Sequence, residues 1–129
     1  MKYYYAKKIT DAAFDEAIEK VTEALKEEGF GVLTEIDVQQ TLKKKLDVDF
    51  RKYRILGACN PPFAHKALQA EDKIGLMLPC NVIITEAGEG KFEVSAVDPA
   101  ASMQAISNKE LMNVAGDVQN LLKEVIEAL

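Results

Sequence analysis

Apolar and polar positions recur along this chain with two different periods, and the switches between them mark out nine segments. Tyr3 to Ile9 is aromatic and extended in character, which predicts a first strand. Thr10 then offers its hydroxyl as an N-cap, with Asp11 in the first turn favouring the helix dipole. Phe14, Ala17, Ile18, Val21, Ala24 and Leu25 recur at helical spacing, so the pattern predicts an amphipathic helix over 11–28. Gly29 ends it, where a left-handed residue is least costly. Phe30 to Ile36 reads as a second strand. Asp37, with Gln40 three residues on, resembles a capping box that opens a short polar helix to about Leu46.

Tyr53 to Ala58 predicts a third strand. Asn60 followed by Pro61 is a helix start, an Asx cap and then a proline whose missing N–H costs nothing there; that helix reaches Gln69 or Glu71. Ile74 to Thr85 is strongly apolar, but Pro79 cannot donate to a ladder, so the strand proper begins at about Cys80 after a bulge or edge. Phe92, Val94 and Ala96 alternate with Glu93 and Ser95 in a half-buried strand, joined to its predecessor by the turn Ala87-Gly88-Glu89-Gly90. Asp98-Pro99 is a further turn signal. Ser107 and Glu110 read as the capping box of a last helix, whose stripe runs through Leu111, Val114, Ala115, Val118, Leu121, Leu122, Val125 and Ile126. The order β-α-β-(α)-β-(α)-β-β-α predicts an α+β fold, a largely antiparallel sheet with packed helices. The final stripe is wider than one sheet face needs, and a homodimer could use the surplus.

Composition narrows the class. A chain of 129 residues with no repeat, low-complexity tract or linker reads as one domain, 1–129. Its formal charge of −5 lacks the basic excess of a nucleic-acid binder, so nucleic acid is not an expected partner. The one basic cluster, Lys43-Lys44-Lys45 with Arg51, Lys52 and Arg54, reads as a solvated helix face. Apolar runs are interrupted within about eight residues, below the ~18 that span a bilayer, so no membrane partner is expected. Two cysteines are too few for a secreted disulfide framework and no leader-like segment opens the chain, which makes the cytoplasm the expected compartment.

The candidate chemistry gathers at strand ends. Cys59 lies in Gly57-Ala58-Cys59-Asn60-Pro61-Pro62 and Cys80 in Leu78-Pro79-Cys80-Asn81. Cys59 precedes a helix start, where unpaired amides would stabilise a thiolate. Three readings stand side by side: two small buried hydrophobes, a thiol pair for redox or capture, and a metal site completed by His65, the single histidine. Asp37 and Asp98 could act as acids or bases, but a cap and a turn explain them equally. There is no glycine-rich phosphate loop, Ser-His-Asp order or metalloprotease motif.

At these residues the chain resembles the domain of unknown function 302 family, also called TT1751-like. The matching stretches are Gly29-Phe30-Gly31-Val32 before Ile36-Asp37, Tyr53 to Pro61, Ile74 to Cys80, and Val97-Asp98-Pro99. The resemblance implies a β-α-β4-α arrangement like one half of the TATA-binding protein, with the middle helices as insertions, and a homodimer; it brings no activity or DNA binding with it.

The sequence thus leads to a non-enzymatic binding or sensor-like domain. Its small molecule or metal would sit where Asp37, Cys59, Asn60, Pro61, His65, Pro79, Cys80 and Asp98 converge, and the cofactor is unspecified. The alternative is a thiol-dependent enzyme or redox protein using Cys59, with His65 or Asp98 assisting.

Overall fold

Strand alternation puts Leu56, Ala58, Val82, Ile84, Val94 and Ala96 on one side of a sheet, and all six are almost fully buried. The computed structural model, which describes residues 2–10 and 12–129, shows what covers them. The chain runs β1 (Tyr4–Thr10), α1 (Phe14–Glu27), β2 (Gly31–Asp37), α2 (Val38–Leu46), β3 (Tyr53–Cys59), α3 (Pro61–Ala70), a 3-10 helix (Asp72–Met77), β4 (Cys80–Glu86), β5 (Lys91–Val97), α4 (Pro99–Ser102) and α5 (Lys109–Glu127). The strands form one antiparallel sheet in the order β1-β5-β4-β3-β2. This is the expected β-α-β4-α plan, with α2 and α3 inserted.

Helices α1 and α5 lie on the buried side. Ala17, Val21 and Leu25 from α1 meet Val118, Leu122 and Val125 from α5 over the strand residues. Each fully buried Val, Leu or Ile here contributes about 1.5–3 kcal/mol of hydrophobic stabilisation. The opposite side of the sheet carries Ile36, Ile55 and Ile83 as directly opposed partners on β2, β3 and β4. A second, smaller apolar cluster joins Ala67 of α3 and Ile74 of the 3-10 helix to Met103, Leu111 and Ala115. The surplus width of the α5 stripe is therefore taken up inside the chain, by α3 and its neighbours.

Several helix ends differ from the sequence expectation. Thr10 is the last residue of β1, opposite Lys91, and α1 begins at Phe14 after Ala13, which makes no side-chain cap. Asp11 lies outside the described residues. The cap of α5 is Asn108 rather than Ser107: its Oδ1 accepts from Leu111 N–H at 3.0 Å, while its amide donates to the Ala70 carbonyl at 2.7 Å. Asn is as good a cap as Ser, and only Asn108 also reaches a second helix. Ile74 to Met77 lies in the 3-10 helix, and the strand starts at Cys80 as expected, after a cis Leu78–Pro79 bond. Asp37 does cap α2, accepting from Gln40 N–H at 2.9 Å. In the basic cluster, exposed Lys43 pairs with Asp47 and Asp49, and Arg54 with Glu35 and Asp37.

Candidate functional site

Beyond the end of β3 the chain turns at Asn60 and enters α3 through Pro61 and Pro62. Asn60 does not cap α3 as the sequence suggests. Its amide instead donates to the Glu28 carbonyl at 3.2 Å, across the end of α1. That approach needs Gly29, whose φ is +85° and where a Cβ would stand 3.2 Å from the Asn60 nitrogen. The bond fixes where α3 leaves the sheet.

Helix α3 then spans the gap between the sheet end and α5 without filling it. Ala58 on β3, Ala64 and Ala67 on α3 and Ala115 on α5 all line the space between these elements. Methyl side chains on three converging elements leave a void that longer ones would close. The result is a half-open cavity of about 290 Å³. Phe30, Leu33, Phe63, Leu78, Met103 and Val114 supply much of the remaining wall, and among the described residues no charged one lines it.

Cys59, Asn60, Pro79 and Cys80 line this cavity together. Ala58 and Cys80 are direct partners across β3 and β4, which brings Cys59 beside Cys80 at one sheet end. Both cysteines are free thiols, Cys59 half-buried and Cys80 buried. Burial pushes the Cys80 thiol up to about 11, and the neighbouring Cys59 adds a smaller push in the same direction. Cys80 thus presents a protonated, weakly polar S–H at neutral pH. Gly57, one pair further along, lets Pro79 settle against the sheet: a Cβ there would lie 2.8 Å from the Pro79 ring and 2.2 Å from Thr34 Oγ1.

The other four candidate residues stand apart from the wall. Pro61 and His65 are exposed on α3 and do not line the cavity. Asp37 pairs with Arg54, five residues back along β3 from Cys59, or about 17 Å at the rise of a strand. Asp98 sits at the right sheet end, and Pro99 beside it lines the cavity, but its carboxylate is fully engaged. It accepts from Tyr5 O–H at 3.1 Å, from Gln119 at 3.0 and 3.1 Å, and from Ala100 and Ala101 N–H at 3.0 and 3.3 Å. It caps α4 and ties β1 and α5 to the end of β5, an anchor beneath the site.

The metal set considered above is not assembled. Among the described residues no three His, Cys, Asp or Glu side chains are placed to share an ion, and Cys59 and Cys80 line the cavity without His65. The sequence reading missed Leu33, Phe63, Leu68 and Met103. For Phe63 and Leu68 the sequence signal is the spacing of Phe63, Ala64, Ala67 and Leu68, which marks a single apolar face on a short helix; Leu33 and Met103 lie outside that helix.

A family model described as domain of unknown function DUF302 matches residues 5–129. A crystal structure of an uncharacterized conserved DUF302 protein from Bacillus stearothermophilus is similar throughout, with a TM-score of 0.89 and 27% identity over 98% of each chain. No curated protein matches the chain. Among the described residues, no helix is long and apolar enough to cross a membrane.

Proposed function

The chain belongs to the DUF302 family, and from that premise we propose that it is a non-enzymatic binding domain that holds an apolar small molecule in the cavity beneath α3. The observation that carries this reading is the wall itself: about 290 Å³ of half-open space lined almost entirely by aliphatic and aromatic side chains. Water there finds few partners, so an apolar occupant gains the transfer free energy of its buried surface. The engaged Asp98 carboxylate and the protonated Cys80 thiol both support binding over catalysis.

The test is titration with N-phenyl-1-naphthylamine, an uncharged fluorophore. Wild-type protein should enhance its emission with one site per chain. Ala64→Trp, at a half-buried wall position, should abolish the enhancement while circular dichroism and melting show the fold retained. Equal enhancement by the folded variant, or none by wild type, would end the proposal.

A second reading concerns assembly, and the row Ile36-Ile55-Ile83 favours it. We infer that two copies pair through this face of the sheet, away from α1 and α5. Sedimentation velocity should give a dimer for wild type and a monomer for Ile55→Lys; a wild-type monomer at micromolar concentration refutes it.

A further inference from the structure

An apolar occupant needs no thiol, yet the wall that would hold it carries two, Cys59 and Cys80, both free. Their placement follows from the strand register. Ala58 is the partner of Cys80, so Cys59 is the diagonal neighbour of Cys80. Strands about 4.8 Å apart with a rise of about 3.4 Å per residue set such Cα atoms about 6 Å from each other, inside the roughly 4.4–6.8 Å that a disulfide spans. Mid-strand, the pleat would send two such side chains to opposite faces. Cys59 is the last residue of β3 and Cys80 the first of β4, where the pleat binds least, and both line the same cavity. The Cys59 thiol also adds to the upward push on the ionisation of Cys80, as only a close neighbour does. Access divides the two: Cys59 is half-buried, whereas Cys80 is only 8% exposed. The chain between them is the roof of the cavity, α3 and the 3-10 helix.

We propose that Cys59 and Cys80 are a reversible dithiol–disulfide pair, oxidised by small uncharged organic disulfides and shielded by the occupant of the cavity. The shielding rests on the binding reading above; the pair does not. Cys59, the accessible thiol, attacks as its thiolate one sulfur of the organic disulfide, forming a mixed disulfide and expelling one small thiolate. The Cys80 sulfur, on losing its proton, then attacks Cys59 Sγ and expels the second. The two expelled thiolates take up the two protons that the protein gives off. One organic disulfide is thus reduced to two small thiols as two protein thiols become one disulfide. An uncharged oxidant suits a wall on which, among the described residues, no charged side chain stands. The new bond would join both ends of the roof, and a molecule in the cavity lies over both sulfurs.

The experiment is mass spectrometry of the full chain after incubation with bis(2-hydroxyethyl) disulfide and again after dithiothreitol. Wild type should lose the mass of two hydrogens and regain it on reduction. Cys80→Ala should stop at a mercaptoethanol adduct on Cys59, and Cys59→Ser should react far more slowly, with circular dichroism showing both variants folded. N-phenyl-1-naphthylamine at about ten times its Kd leaves roughly one cavity in ten empty, so disulfide formation should slow about tenfold. A wild type that stops at the adduct, or a Cys59→Ser variant that reacts as fast as wild type, overturns the pair. Undiminished disulfide formation with the probe bound overturns the shielding. A probe that fails to bind while the disulfide still forms ends the cavity reading, and the shielding with it, but supports the pair.

Discussion

Replacing Asp98 with alanine would leave four donor groups without their shared acceptor, at a position only 9% exposed. Two of them, the Ala100 and Ala101 amides, belong to the first turn of α4, and loss of a cap costs about 1 kcal/mol. The other two, Tyr5 O–H and the Gln119 amide, reach the carboxylate from β1 and α5. Hydrogen bonds to a charged group contribute about 1.5–3 kcal/mol each, and both donors are half-buried, so water replaces the acceptor only in part. The bonds share two oxygens and do not add fully. We therefore expect a loss of about 3–4 kcal/mol, read as a lower urea midpoint at unchanged slope. With an unfolding entropy of about 2.1 cal/mol/K per residue, a chain of 129 residues should melt roughly 11–15 °C lower. Asp98→Asn keeps one acceptor and the side-chain shape and should lose about half as much. A loss below about 1 kcal/mol for the alanine variant would refute the reasoning, because desolvation of the carboxylate would then cancel its bonds.

Two further outcomes follow from the same geometry. The Cys80 thiol ionises near 11 when folded, against a reference of 9.0; between those values the unfolded chain releases a proton that the folded one keeps. Stability should thus be constant below about pH 9 and fall by about 2–3 kcal/mol towards pH 11. Cys80→Ala should flatten that limb in urea titrations, and an unchanged limb would assign it elsewhere. Gly57→Ala places a Cβ against Thr34 and Pro79 and should destabilise by about 1–3 kcal/mol, with less apolar probe bound; a melting temperature equal to wild type would contradict the close approach.

Much of this fold is legible in the chain because its signals are local. The α5 stripe and the Ala87–Gly90 turn depend only on residue spacing, and Asp37 caps the helix that begins beside it. The errors arise where a distant partner decides. Asn60 has the look of a cap, but Glu28 claims its amide. Asn108 prevails over Ser107 because Ala70 stands within reach. Asp98 reads as a turn former, and nothing near it in sequence announces Tyr5 or Gln119. Of the eight candidate residues, four share one cavity wall. Cys59, Asn60, Pro79 and Cys80 are marked by unusual residues at strand ends, whereas a cavity is made by what is missing. Ala58, Ala64, Ala67 and Ala115 are unremarkable until the topology sets them facing one another.

The division of the apolar interior into two clusters has a kinetic consequence. The larger one locks the sheet to α1 and α5, while α3 and the 3-10 helix are held chiefly by the smaller. Segments with fewer buried contacts open at lower free energy than the whole molecule. The roof of the cavity is therefore a separate opening unit, able to lift while the sheet stays paired. Amide exchange should report it as a fast-exchanging block over residues 61–77, above a slow floor in β4 and β5. Lifting that roof widens a cavity that is already half-open, so access to it is tuned by α3 without the sheet having to unfold.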